Sequence, residues 1–289
     1  MANLRAIRTR IKSVENTQQI TKSMKMVAAA KLRHTQTAFS ALKEYSKRSD
    51  AMLRQVSGGS ADWSHPLLTP HEKNERVCYV LIVGNRGLCG TYNSALLRYL
   101  QDLAPQDERE KSLVVCGRWG RDMIPAAGIP IRKTFEISDA PEAKEARELA
   151  DYLRQLYLSG EADEIVLVYQ QFKSVLQQTP GTKTLLPMSA AEAKDEKDEG
   201  EGRLWLYEPD RESLLATLVE MAFNNTLHAV LLEARTGEHS ARMSAMTAAA
   251  DNTEELIASL TLQLNHARQA AITTEISEIA GGAEALKNK

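Results

Sequence analysis

The stretch Gly237–Gly282, GEHSARMSAMTAAADNTEELIASLTLQLNHARQAAITTEISEIAGG, contains no proline and no further glycine until Gly281. The break-free run begins earlier, after Pro209, with Gly237 as its only weak point. A helix over Asp210–Ala280 would extend about 105 Å at ~1.5 Å per residue. No ordinary globular domain uses a helix of that length, so the run predicts a shaft or coiled coil. Apolar spacing agrees. Ile257, Leu260, Leu264, Ala267 and Ala271 step 3, 4, 3, 4, and Ile272, Ile276, Ile279, Ala283 and Leu286 step 4, 3, 4, 3, displaced by one position. Each run follows a coiled-coil seam, and the slip between them is expected to disturb the supercoil locally. From Leu256 to Ala267 there is no Asp, Glu, Lys or Arg. A solvated helix normally carries charge on its outer face, so this one reads as enclosed by a partner without being pinned to it. A long buried helix in a bundle has the same periodicity.

The opposite end of the chain carries a matching signal. Ala2–Ser57 contains no Gly or Pro, and Gly58-Gly59 closes the run. Leu4, Ile7, Ile11 and Val14 step 3, 4, 3, and Ile20, Met24, Val27 and Lys31 step 4, 3, 4. The polar interlude Asn16-Thr17-Gln18-Gln19 between them is expected to break the seam. Two long helices at the two chain ends bury their stripes most simply against each other, antiparallel.

Between them the pattern changes to strands and helices in alternation. Val77–Val83, Ser112–Cys116 and Glu164–Gln170 read as strands; Thr91–Leu103, Trp119–Ala127 and Pro141–Ser159 read as helices. Such alternation implies a parallel sheet covered by helices. Val175–Leu186 and Leu204–Tyr207 read as later strands at the sheet edge. Gly58–Asn74 is rich in turn formers, and Ser189–Gly202 is low-complexity and charged, a mobile loop by composition. The expected fold class is therefore α/β plus a long antiparallel α-helical coiled coil, with a Rossmann-like α/β domain inserted between N- and C-terminal helices. The expected boundaries are 1–58, 75–208 with the acidic loop 189–202, and 209–289.

Composition narrows the function. The chain has 289 residues and a formal net charge of −2, which argues against a general nucleic-acid binder. Charge is uneven, however. Residues 1–35 hold eight Lys or Arg and one acid, Glu15, a local +7 that predicts an acidic partner. Cys78, Cys89 and Cys116 show no CxxC spacing and read as small buried residues of a reducing compartment. No stretch of 18 apolar residues occurs, so no membrane-spanning segment is expected.

The motifs that could carry chemistry are few. Gly84-Asn85-Arg86-Gly87-Leu88-Cys89-Gly90 follows a strand and opens a helix, where phosphate loops occur. Its spacing is GxxGxxG rather than GxGxxG, and no GK[ST] follows, so a tight strand-to-helix turn explains it too. Arg118 and Arg121 after the second strand suit an anion or a solvated helix start. The six histidines lack HExxH or HxH spacing, and no GxSxG occurs, so neither metal nor cofactor is expected. Arg242, Arg268 and Gln269 stand out as strong hydrogen-bonding groups on a quiet C-terminal helix; Arg grips a carboxylate bidentately, and a surface charge facing water is the plain alternative.

IRTRIKSVENTQQITKSMKMVAAAKLR (Ile7–Arg33) and ARMSAMTAAADNTEELI…LQLNHARQAAITTEISEIAGGAEAL (Ala241–Leu286) resemble the gamma subunit of F-type rotary ATP synthases. RGLCGTYN (Arg86–Asn93), CGRWGRD (Cys116–Asp122) and LYEPD (Leu206–Asp210) fall where that family has counterparts. The resemblance implies a central rotor stalk, one copy per complex. Its hairpin threads a hexamer of alpha and beta subunits, and its α/β domain sits as a foot on the c-ring beside epsilon. It further implies that ATP chemistry belongs to beta, that this chain is not itself an enzyme, and that it lies peripherally at the cytoplasmic face of the bacterial inner membrane, without membrane insertion or nucleic acid. By position, Arg268 and Gln269 match residues that bond a loop of the surrounding beta subunit, and Thr273 and Glu275 match further coupling positions. Met24, with Lys25 beside it, matches the contact with the acidic beta lever, Tyr207 and Glu208 fall in the foot, and Arg242 lies in another matching segment. His266 departs from the family's usual Lys or Arg, and Gln19 and Ser23 replace commoner Lys and Ala. The acidic loop has no cysteine where chloroplast relatives carry a dithiol switch, which predicts no redox gating.

Two other readings stay open at this level. A nucleotide-dependent enzyme built on the α/β domain predicts tight binding of ATP or NAD. A coiled-coil adaptor for nucleic acid predicts binding with steep salt dependence.

Overall fold

A computed structural model describes residues 2–57, 65–119, 128–188, 208 and 210–287. In chain order the elements are α1 (Ala2–Ser57), β1 (Arg76–Ile82), α2 (Tyr92–Leu103), β2 (Glu110–Cys116), β3 (Ile131–Phe135), α3 (Ala143–Leu158), β4 (Glu164–Phe172), β5 (Gln178–Leu186) and α4 (Arg211–Lys287). The expected helix Trp119–Ala127, the strand Leu204–Tyr207 and the loop Ser189–Gly202 fall largely or wholly outside the described residues. The α/β domain thus lies in sequence between N- and C-terminal helices, and α1 and α4 form the long antiparallel pair. Compact packing divides the chain into Met1–Val27 with Met243–Lys289, and Ala28–Arg242.

In the first unit the inward positions of α1 are Leu4, Ile7, Ile11, Val14, Gln18, Thr21 and the half-buried pair Met24 and Lys25. These keep the 3,4 rhythm through the polar interlude, so the seam is not broken there. Instead Gln18 and Thr21 occupy core positions, with the Thr21 hydroxyl donating to Gln18 O at 2.9 Å. Ile20 and Val27 point outward, 59% and 56% exposed. The physical reason is continuity: a heptad stripe holds its face only if the phase set by Leu4–Val14 is carried on. On α4 the seam runs through Met246, Ala250, Thr253, Ile257, Leu260, Leu264, Ala267 and Ala271. Beyond Ala271 the apolar run does not turn inward, and Ile272, Ile276 and Ile279 are exposed.

The second unit holds a five-stranded sheet of order β3-β2-β1-β4-β5. β1 pairs in parallel with β2 and β4, β2 with β3, and β5 adds antiparallel to β4. Both faces are covered, so β1 reads as a continuous apolar run. Its side chains alternate between two cores. Cys78, Val80 and Ile82 join Leu149, Leu153 and Tyr157 of α3 and Leu215, Val219, Phe223 and Leu227 of α4. Val77, Tyr79 and Leu81 join Leu96 and Leu100 of α2. α3 starts where the Glu145 carboxylate accepts from Glu142 N at 3.0 Å and from the Ser138 hydroxyl at 2.7 Å. At the amino ends of the strands, buried Asp163 accepts from Glu75 N, Arg76 N and the Arg76 guanidinium, which ties β1 to β4. Burial alone would raise its pKa, but those donors and His71 hold it at about 2. α4 contains an 18-residue window of mean hydropathy 1.2, with 44% of it buried. The buried apolar side chains of α4 between Leu215 and Ala234 face the first of these cores.

Gly237 leaves α4 unbroken. It is buried in the helix, where an added Cβ would lie 3.3 Å from the Tyr92 ring. Close approach to α2, not a hinge, accounts for the glycine.

Candidate functional site

The winding of the sheet places a crevice outside the carboxyl ends of β1 and β4. The chain leaves β1 for β2 on one side and returns to β4 on the other, and folds of this winding bind ligands there. The loop Gly84–Gly90 opens onto this point. In this chain the crevice is filled by α4 residues 233–242.

Each side of it is bonded to the helix. Tyr92 donates its hydroxyl to Ala234 O at 2.6 Å, and Phe172 N at the end of β4 donates to the Glu233 carboxylate at 2.9 Å. Ser240 donates to Val175 O in the β4–β5 turn at 2.7 Å. At the centre, Glu238 lies between two arginines. Its Oε2 accepts from Arg235 Nη1 and its Oε1 from Arg242 Nη2, each at 2.6 Å. Arg235 and Glu238 are each 1% exposed. Burial pushes the Glu238 carboxyl up, but Arg235 and Arg242 outweigh it and hold the group below the usual range.

The arginines also reach the chain just past two strands, β1 and β3. Arg235 donates to Val83 O after β1 at 3.1 Å, and to Asn85 Oδ1 and Ile137 O at 3.2 and 3.0 Å. Asn85 in turn donates to Ile137 O at 2.6 Å and accepts from Arg118 N. Arg242 donates to Arg86 O at 3.2 Å and to Gly87 O at 3.4 Å. Beside them His239 Nε2 lies 3.0 Å from Asp139 O, and its Nδ1 lies 3.4 Å from Arg242 Nη1. A ring that donates to a carbonyl and accepts from an arginine is neutral, and burial lowers its pKa accordingly. Asp139 is also ion-paired with Lys31 of α1.

Two glycines make this packing possible. A Cβ on Gly84 would stand 2.8 Å from the Glu238 carboxylate carbon. Gly117 has φ +117°, and a Cβ there would stand 2.2 Å from Val83 O. Of the glycines read as a possible phosphate loop, Gly84 serves close approach of the chain's own carboxylate, whereas Gly87 faces open space.

The expected contact residues fall in different places. Met24 and Lys25 are half-buried on α1; Arg268, Gln269, Thr273 and Glu275 are exposed on α4. Neither the Arg268 nor the Gln269 side chain bonds to another described residue, while the Thr273 hydroxyl donates back within its own helix to Gln269 O at 3.0 Å. Arg268 and Glu275 are seven residues apart and share a face. Arg242 is not a surface charge facing water: it is 9% exposed and turned into the crevice. Its donors are engaged by the Glu238 carboxylate and the Arg86–Gly87 carbonyls. Glu208 is exposed, and Tyr207 lies outside the described residues. Arg118 pairs with Glu136 rather than standing open for an anion. Sequence reasoning missed Arg235, Glu238, Asn85, Asp139 and His239. Its available signal was the spacing Arg235, Glu238, Arg242 on a helix otherwise poor in charge, one turn apart around a glycine.

The family described as ATP synthase matches residues 3–286. The ATP synthase gamma chain of Desulfitobacterium hafniense is 42% identical over 288 residues, covering 99% of this chain and 100% of that protein. That of Moorella thermoacetica is 41% identical with the same coverage. Among solved structures, a chain of the Euglena gracilis mitochondrial ATP synthase (OSCP/F1/c-ring, rotational state 3) superposes with a TM-score of 0.65 at 21% identity, covering 99% of this chain and 95% of that one. A chain from the rotor of the same enzyme in rotational state 1 gives 0.61 at 20% identity, covering 94% and 99%. These structures share the fold.

Proposed function

We infer the function from one premise: this chain belongs to the ATP synthase gamma-chain family. It is the central stalk of a rotary ATP synthase, coupling ion movement to ATP synthesis and hydrolysis. In this reading 1–58 and 209–289 form the shaft inside the alpha and beta hexamer, and 75–208 is the foot on the c-ring beside epsilon. ATP chemistry resides on beta, and the chain is peripheral at the cytoplasmic face of the bacterial inner membrane.

The observation that carries this reading is the outer face of α4 beyond Asp251. Leu256 and Leu262 are exposed on a stretch, Leu256 to Ala267, that holds no Asp, Glu, Lys or Arg, and Ile272, Ile276 and Ile279 are exposed further on, among Arg268, Glu275 and Glu278. An apolar, uncharged collar suits a shaft that meets similar neighbours in turn. A buried ion pair broken at each step would cost several kcal/mol (roughly 3–5). Arg268, Gln269, Thr273 and Glu275 are the proposed hydrogen-bonding contacts to beta above this collar, and Met24 and Lys25 the contact with an acidic segment of beta. Tyr207 and Glu208 belong to the foot. Arg242 contributes to coupling as an anchor of the 84–90 loop rather than as a direct contact.

The test is Arg268→Ala with Gln269→Ala. Both side chains are exposed and bond to no other described residue, so folding stability should change by less than about 0.5 kcal/mol. ATP-driven ion pumping or assembly of the complex should fall. Normal pumping by an assembled double variant would remove the site assignment. The nucleotide-enzyme reading meets a crevice already occupied by α4, and the nucleic-acid adaptor reading meets a net charge of −2.

A further inference from the structure

We propose that Glu238 is an internal oxyanion ligand. Its carboxylate fills the crevice at the carboxyl end of β1, between Arg235 and Arg242, and thereby locks α4 to the strand ends as one torque-carrying body. The torque clause rests on the rotor reading above; the ligand clause does not.

Three independent features point to an anion at this place. The first is position. The carboxyl ends of the strands flanking the winding reversal are where this architecture receives a ligand, with loop N–H groups and glycines cleared for close approach. Gly84 is cleared for an anion: the atoms its Cβ would strike are the carboxylate carbon and Oε1 of Glu238, at 2.8 and 2.9 Å.

The second is charge. Two guanidiniums and one carboxylate give the buried cluster an excess of one positive charge. Each arginine holds a different oxygen of Glu238, at 2.6 Å, as two donors would hold a bound carboxylate or phosphate. The adjoining Lys31–Asp139 pair is balanced in itself and His239 is neutral; the Glu145 carboxylate, which feels the Arg235 charge, is hydrogen-bonded to Ser138 and Glu142 N, and that of Glu233 to Phe172 N, so neither is bonded to the arginines.

The third is unused donor capacity. Among the described residues Arg235 Nε is buried without a hydrogen-bond partner, and the residue is 1% exposed. A site shaped around one glutamate alone would leave no such donor. Excess N–H groups are what an oxyanion with more acceptors than a tethered carboxylate would use. Glu238 therefore acts as a tethered occupant. Because it comes from α4 while its donors reach Val83, Asn85, Arg86 and Ile137, occupying the crevice and fastening the helix are the same event.

The experiment is chemical rescue in the intact ATP synthase complex. Glu238→Ala opens space for a small carboxylate between the two arginines. Melting of the purified complex and ATP-driven ion pumping in vesicles are measured in sodium formate and in sodium chloride at equal ionic strength. The expected result is a melting temperature lower by about 5 °C or more in chloride, with at least about half of the loss recovered in formate. Pumping per ATP hydrolysed falls in chloride and rises again in formate. Wild-type complex responds equally to the two salts. Glu238→Gln keeps the shape without the charge and blocks entry, so it should melt low in both salts. That variant decides the matter if Glu238→Ala does not assemble: wild-type melting of Glu238→Gln overturns the ligand proposal. An assembled Glu238→Ala complex with no preference for formate over chloride overturns it as well. Normal pumping by a variant whose melting has dropped and recovers in formate overturns the torque clause alone. Loss of the rotor reading itself would show instead as failure of the wild-type chain to co-purify with the alpha and beta subunits.

Discussion

Replacing Gly117 by alanine is expected to be among the most damaging single-methyl additions in the molecule. Gly117 sits at φ +117°, and its missing Cβ leaves room for Val83 O at 2.2 Å from where that carbon would stand, with Gly84 O at 3.1 Å. These obstacles are backbone atoms at the ends of β1 and β2, held by the Val83 N to Cys116 O bond of 2.9 Å and the Gly117 N to Phe135 O bond of 2.9 Å. They cannot swing aside as a side-chain tip would. Holding an L-residue at such a φ costs about 1–3 kcal/mol. Moving the Val83 carbonyl also strains its bond from Arg235 Nη1, 3.1 Å long, and a buried bond to a charged group contributes about 1.5–3 kcal/mol. Together the loss should be about 3–5 kcal/mol. The assay is urea unfolding of the purified chain, followed by the near-UV signal of the α/β domain, with Arg235→Met as the second arm of a double-mutant cycle. Because Arg235→Met already lacks the donor, Gly117→Ala should cost less in that background by about 1–2 kcal/mol. A Gly117→Ala chain within about 1 kcal/mol of wild type would refute the steric argument, and strict additivity would refute its link to Arg235.

Two further outcomes are expected. Ile20→Gln should change stability by less than about 0.5 kcal/mol, since Ile20 is 59% exposed; a loss above about 2 kcal/mol in the same unfolding assay would put Ile20 back in the seam. Stability should also fall in mild acid through His239. Its folded pKa lies below the ordinary 6.5, mainly through burial and despite the Asp139 carbonyl, with Glu238 raising it and Arg242 lowering it. The unfolded chain therefore binds the extra proton first, and stability declines as pH drops below about 6.5 towards the folded value. Unfolding midpoints between about pH 7 and 5 should fall less steeply in His239→Gln; an unchanged slope would assign the acid loss elsewhere.

The long elements were legible because their signal is an absence. Fifty-six residues of α1 contain no helix breaker, and strands β1, β2 and β4 each contain a continuous apolar run. β3 was missed for the opposite reason. Its sequence IRKTF is charged and largely exposed, as an edge strand is, so it lacks the apolar run that marked its neighbours. The seam of α1 was misread at Ile20 and Val27 because hydrophobicity was followed where phase decides. Counting on from Val14 in steps of four and three reaches Gln18, Thr21, Lys25 and Ala28, the inward positions observed. The crevice was illegible as a site. Its donors and acceptors come from the ends of β1, β2 and β3 and from one turn of α4, which lie up to 156 residues apart in the chain. Single-residue signals in such a site become chemistry only when the sheet is assembled. Arg242 shows the limit most clearly: its position in the family pattern was visible, but its direction was not.

The outward Ile272, Ile276 and Ile279 carry a consequence for biogenesis. A newly made chain presents a greasy prong to the solvent before any neighbour arrives, and such prongs find one another. The order in which subunits meet is thereby constrained: the neighbours that sheathe this prong have to be at hand early, and the chain made alone should self-associate as its concentration rises.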